Sequence, residues 1–223
     1  MSKKNFIRTF ILGILAGSAI GLGGLFFTVL ASVNNKIVGS LLFSIGLLLV
    51  CSFSLYLYTG KIGFLSSSEN KKKYTMELLT GILGNLIGAV IFGYLIRLMF
   101  WGSKNDTMLN TIDSICSSRF IDLGNGGTSW YVPLISSIFC GMLVYIAVYG
   151  WKQDWHPLLK VIVLIFSVFA FVAMGFEHCI ANMFYLSFGN AWNIQTILNI
   201  LIVIIGNSLG AIILNLLVTY LKK

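Results

Sequence analysis

Two neighbouring residues combine titratable chemistry with an apolar setting. Glu177 and His178 lie in Gly175-Phe176-Glu177-His178-Cys179-Ile180-Ala181-Asn182, inside a long hydrophobic run. The other carboxylates, Glu69, Glu77, Asp106, Asp113, Asp122 and Asp154, fall in polar connections or at the ends of such runs. A charge at the centre of a membrane helix costs about 2.5–3.5 kcal/mol on insertion scales, so a residue found there is a functional candidate. His178 suits sharing or passing a proton, because imidazole is the side chain whose ordinary pKa lies near neutrality. Glu177 reads as a support: its carboxylate can hold backbone N–H groups left open by an interrupted helix.

Other chemistries lack their residues. Glu177 has no second carboxylate beside it for hydrolysis. His156 and His178 are the only histidines and have no ligand pattern around them, so no metal and no cofactor is expected. His156 precedes Pro157 in a turn and reads as solvated. Of the cysteines, Cys51, Cys140 and Cys179 lie in apolar runs and Cys116 in a long polar loop. They form no CxxC pair and no disulfide framework, and read as small apolar fillers. Gly13, Gly17, Gly21, Gly23 and Gly24 follow no strand, so they suit helix packing rather than a phosphate loop. An enzyme is not expected.

Composition defines the elements that carry these residues. Of 223 residues 57% are hydrophobic and 10% charged, with mean hydropathy +0.92. Soluble domains carry about 25% charged residues, and disorder needs low hydrophobicity. An integral membrane protein remains, with room for about six spans of roughly 20 residues each. The formal charge of +8 sits in loops and tails, so nucleic acid is not expected as a partner. The first apolar run is too long for a cleavable signal peptide and further spans follow it.

The expected spans run from about Phe10 to Val33, Val38 to Leu65, Leu78 to Trp101, Tyr131 to Trp151, Leu158 to Phe188 and Thr196 to Leu221. Spans must satisfy their own backbone groups, which makes them helices. Lys3, Lys4, Arg8, Lys61, Lys71, Lys72, Lys73, Lys152, Lys160, Lys222 and Lys223 fall on the side of the termini. Lys36, Arg97, Lys104 and Arg119 fall opposite. The excess predicts cytoplasmic termini.

The second and fifth spans are too long for one straight crossing and carry polar groups at depth. They contain Leu55-Tyr56-Leu57-Tyr58-Thr59-Gly60-Lys61 and the Glu177-His178 segment. Interrupted helices in matching places of two halves mark a pore or binding site. The third and sixth spans both contain GNxxGA, around Asn85 and Asn207. Their paired glycines predict close packing, and each asparagine can hydrogen-bond a broken neighbour. The first and fourth spans match more weakly, as Ala16-Gly17 and Cys140-Gly141. An odd number of spans per half requires the second half to run inverted. The expectation is one channel domain over 1–223, with inverted repeats of about 8–101 and 130–221 joined by an extracellular loop of about 102–129.

These motifs resemble the formate/nitrite transporter family, which includes hydrosulfide channels. Gly175-Phe176-Glu177-His178, followed by Ala181-Asn182-Met183, is similar to the family's GFEHxxANM signature, and Tyr56-Leu57-Tyr58-Thr59-Gly60 to its first break. The likeness covers nearly the whole chain. It implies an aquaporin-like fold of six spans in a homopentamer with one pore per subunit, in a bacterial plasma membrane. It implies transport of small monovalent weak-acid anions. It gives His178 the place of the pore histidine and Thr59 the polar group opposite. Phe43, Leu47, Phe171, Leu57, Tyr58 and Val144 take constriction or pore-lining places, Asn207 a supporting one, and Arg8 that of a vestibule lysine.

Three positions depart from the family pattern. Tyr56 stands for an acidic residue and Gly141 for an asparagine. Asn125 to Trp130 hold no outer-vestibule lysine, for which Arg119 is the substitute to examine. The alternatives are a neutral-solute channel of aquaporin type, whose Asn-Pro-Ala boxes this chain lacks, and a non-transporting scaffold, for which interrupted helices would be needless strain.

Overall fold

The structure is a computed structural model describing residues 2–124 and 126–222; Asn125 and Lys223, named above, lie outside the described residues. The elements are α1 (Lys3–Ser32), α2 (Lys36–Ser52), α3 (Tyr58–Lys61, continued by a 3-10 turn Ile62–Leu65), α4 (Lys71–Gly102), α5 (Asp106–Ser117), α6 (Tyr131–Lys152), α7 (Pro157–Ala173), α8 (Cys179–Phe188) and α9 (Ile194–Leu221). α1, α4, α6 and α9 are long and apolar enough to cross a membrane. The chain is a multi-pass membrane protein.

The second and fifth expected spans are each two pieces. α2 stops after 17 residues and α7 after 17, and α3 and α8 follow after short extended breaks. Both stops are built alike. Ser54 and Gly175 take left-handed conformations, with φ of 53° and 70°. The next amide reaches back five residues: Leu55 N–H donates to Val50 O at 2.9 Å and Phe176 N–H to Phe171 O at 2.9 Å. This is the capping turn that closes helices at a left-handed residue, where glycine alone escapes the Cβ penalty.

Two helix starts and one connection differ from expectation, for local reasons. α1 begins at Lys3 and α4 at Lys71, each about seven residues early, because Ser2 Oγ accepts from Asn5 N and Asn70 Oδ1 from Lys73 N at the exposed ends. Polar side chains are compatible with a helix once its open donors are capped in water. The Lys71–Lys73 run is therefore the first turn of α4, not a loop. The connection of about 102–129 contains α5, capped by Asn105 and buried through Met108, Ile112 and Cys116 at helical spacing.

The most extensive pairings are α1 with α4 and α6 with α9. Glycine faces allow both. A Cβ at Gly84 would meet Phe10 O, at Gly88 Ile14 O, and at Gly17 Asn85 O. In the other pair a Cβ at Gly206 would meet Leu134 O, at Gly210 Ile138 O, and at Gly141 Asn207 O. Backbone then packs on backbone, as small residues permit in membranes. The short pieces are wedged across the molecule: α3 and its 3-10 turn touch α4, α6 and α9, and α8 touches α1, α4 and α9.

Gly141→Ala forces its methyl against the Asn207 carbonyl, and overpacking of this kind costs about 1–3 kcal/mol. Thermal unfolding in detergent should fall by several degrees. Gly102→Ala, whose Cβ meets nothing within 4 Å, should leave it unchanged or raised.

Candidate functional site

The site begins with two asparagines that have no exposure at all. Asn85 Oδ1 accepts from Tyr58 N at 2.9 Å, and its Nδ2 donates to Gly13 O at 2.9 Å and Tyr56 O at 2.8 Å. Asn207 repeats this: Oδ1 accepts from Cys179 N at 3.0 Å, and Nδ2 donates to Ser137 O and Glu177 O, both at 2.9 Å. Each carboxamide thus ties the opening amide of a short helix, the carbonyl two residues before it, and a carbonyl of α1 or α6. Buried polar groups left unpaired cost about 1–3 kcal/mol each, so these side chains are what allows the breaks.

The tie brings α3 and α8 together. Thr59 Oγ1 lies 2.8 Å from His178 Nε2, with both residues buried. His178 also caps α8, its Nδ1 accepting from Ala181 N at 3.2 Å. A nitrogen that accepts carries no proton, so the neutral ring holds its hydrogen on Nε2 and donates it to Thr59. Gaining a second proton would require His178 to release the Ala181 amide. The imidazole stacks on Phe171 with centroids 5.8 Å apart, and Phe171 meets Phe43 edge-on, also at 5.8 Å.

Two cavities approach this centre from opposite ends. One of about 250 Å³ reaches Phe43, Phe171 and His178, with Lys36, Arg119 and Glu177 in its wall. The other, of about 170 Å³, reaches Val50, Leu57 and Gly60, with Lys61 and Lys152 in its wall. Along α2, buried Leu47 lies between Phe43 and Val50. Thr59 and Val144 likewise line neither cavity and are buried.

Several expected residues sit elsewhere. Tyr58 lines neither cavity: its hydroxyl lies 2.9 Å from Ser208 Oγ on α9. Within α3 it stands about 100° round the helix from Thr59. Arg8 is exposed and lines neither cavity, and Lys61 and Lys152 stand at that mouth instead. Glu177 does not hold the backbone N–H groups, because the asparagines do. Its carboxylate accepts from Asn182 Nδ2 and lies 3.9 Å from Arg119 Nε. Tyr56 takes the corresponding place in the first break, with its ring against Gly81 and Lys61 Nζ 5.0 Å above it.

The opposite mouth was only partly foreseeable. Arg119 Nε donates to Asn182 Oδ1 at 2.9 Å, and its guanidinium lies 5.0 Å from the Tyr185 ring. Asn182 Nδ2 also donates to Asn199 Oδ1 at 3.1 Å. Neither Asn182 nor Asn199 was singled out as a site residue, although asparagines inside apolar runs are a usable signal. Cys116 does not face water in a loop: it packs α5 onto α8, its thiol donating to Tyr185 O at 3.2 Å. Burial pushes that thiol up to about 11, which leaves it protonated and inert. Among the described residues no group of three metal-ligating side chains occurs.

Asn207→Leu removes three hydrogen bonds at once and should cost about 3 kcal/mol or more of stability. The check is denaturation in detergent: the loss should far exceed that of Arg119→Gln, whose partners Glu177 and Asn182 line an open cavity.

The comparisons agree with this geometry. A formate/nitrite transporter family profile matches residues 1–221. A probable formate transporter of Methanothermobacter thermautotrophicus is 28% identical, covering 97% of this chain and 90% of that one. The nitrite transporter NirC of Escherichia coli (strain K12) is 29% identical, covering 97% and 84%. A solved pentameric formate channel with formate bound superposes with a TM-score of 0.78 at 24% identity, over 100% of this chain and 97% of that one. With a match over residues 1–221 of its 223, the chain belongs to the formate/nitrite transporter family, whose members are channels and transporters rather than enzymes.

Proposed function

We propose that the chain is a membrane channel for small monovalent anions of weak acids, of the formate, nitrite or hydrosulfide kind. The observation that carries it is the Thr59–His178 contact of 2.8 Å joining two broken helices between two cavities with cationic walls. The relatives named above are formate and nitrite transporters, and the similar solved structure is pentameric with formate bound. These support formate or nitrite as substrate and a homopentamer with one pore per subunit. The matched asparagine ties and glycine faces support six spans in an inverted 3+3 repeat of aquaporin type, over one domain of 1–223. The two halves are about 8–101 and 130–221, joined by an extracellular segment of about 102–129. The lysine asymmetry supports cytoplasmic termini in a cell membrane, here taken as bacterial.

The chemistry follows from desolvation. A bare anion meets a large cost at the apolar layer of Phe43, Phe171, Leu47, Val144 and Leu57. Cations at the mouths raise its local concentration. At the centre His178 donates Nε2–H to the anion, exchanging its bond to Thr59 for one to substrate. Sharing of a proton then neutralises the anion where it is least hydrated. Full transfer needs a second proton on His178, which opens the Ala181 amide from Nδ1. Glu177, Asn85 and Asn207 support this arrangement and do not touch the anion.

His178 is both helix cap and proton carrier, and two substitutions separate these roles. His178→Asn keeps a good N-cap acceptor but cannot titrate. In proteoliposomes, wild-type formate flux should rise as the source-side pH is lowered. His178→Asn should fold normally, lose that rise and fall roughly tenfold or more, within the range of general acid–base effects. His178→Ala should lose stability as well. An unchanged pH profile in His178→Asn would remove the histidine from the mechanism.

A further inference from the structure

The terminus-side cavity has an electrostatic character that the gate does not explain. Two ammonium groups stand in its wall: Lys61, at the end of α3, and Lys152, the last residue of α6. Each is held from one side by an aromatic face. Lys152 Nζ lies 3.6 Å from the Phe64 ring centroid and Lys61 Nζ 5.0 Å from that of Tyr56. Cation–π contacts orient an ammonium without neutralising it. No carboxylate lines this cavity. Among the described residues the one ion pair within 4 Å joins Arg119 to Glu177, in the wall of the other cavity. The two mouths therefore differ: one holds an arginine paired with a carboxylate in the same wall, the other two lysines on different elements with no carboxylate in the wall, Glu77 acting on Lys61 only from outside it.

We propose that Lys61 and Lys152 together form a binding site for one small monoanion, the last charged station before Leu57. This deepens the channel reading and rests on it for the identity of the anion, a carboxylate or oxyanion the size of formate or nitrite. The cavity, at about 170 Å³, has room for the anion and several waters of roughly 30 Å³ each. Its inner wall is apolar, formed by Val50, Leu57 and Val148. An anion seated there exchanges part of its hydration for two ammoniums before it meets the gate. Two unlike elements supply the pair, so the site exists only when α3 is docked against α6.

Trp151 lines the same cavity and reports on it without any transport. The test is collisional quenching of the full-length protein in detergent by iodide and by neutral acrylamide. Subtracting the signal of Trp151→Phe isolates this one indole from the other four tryptophans. Iodide quenching of Trp151 should be strong and should be relieved by formate but not by glycerol. In the double variant Lys61→Gln/Lys152→Gln it should fall roughly tenfold, the scale of local anion enrichment in a charged cleft, while acrylamide quenching stays unchanged. Lys61→Arg/Lys152→Arg should retain it. Equal iodide quenching in wild type and the Gln variant would overturn the site. A parallel fall with both quenchers would also overturn it, since the lysines would then only prop the cavity open. Formate protection without any formate flux in liposomes would leave this site standing and strike at the channel reading alone.

Discussion

Everything at the centre depends on one constraint: a helix broken at membrane depth exposes backbone groups that no solvent can satisfy. Asn85 and Asn207 meet it with three hydrogen bonds each, to equivalent partners in each break. The constraint reaches outward from there. For Asn85 to reach Gly13 O, α1 and α4 must approach more closely than side chains allow, which the glycines at 13, 17, 84 and 88 permit. It also reaches inward. With Tyr58 N and Cys179 N held, the residues beside them, Thr59 and His178, are left facing one another.

The same arrangement explains how a polar pair persists among apolar neighbours. His178 has both nitrogens engaged, one with a backbone amide and one with a hydroxyl, so its burial leaves neither orphaned. In the proposed mechanism the bond to Thr59 is the one that a passing anion replaces, because the bond to Ala181 also caps a helix. Aromatic and aliphatic side chains on either side exclude water and make an uncompensated charge unfavourable. The mouths do the opposite. In the proposed mechanism, charge selection thus sits at the entrances and the hydration barrier in the middle, on different residues.

Much of this was legible in the sequence where a physical rule is local. The GNxxGA pair, the over-long second and fifth apolar runs and the isolated Glu177-His178 each follow from spacing and polarity alone. What escaped was side-chain direction and long-range pairing. Tyr58 sits next to Thr59 in sequence but points to Ser208, because a helix turns about 100° per residue. Glu177 seemed suited to the open amides, yet a carboxamide serves better there: it donates and accepts, whereas a carboxylate only accepts. Lys36, Lys61 and Lys152 looked like topology signals, and only the fold brings them to cavity walls. α5 was hidden because its polar face dominates its composition, although Met108, Ile112 and Cys116 carry the helical period.

The most direct test of the account is a flux panel on the purified wild-type protein in liposomes, comparing formate, nitrite, hydrosulfide and glycerol. The account predicts passage of at least one of the weak-acid anions well above protein-free vesicles, with glycerol indistinguishable from them. Passage of glycerol without any of the anions, or of none of the four, would contradict it.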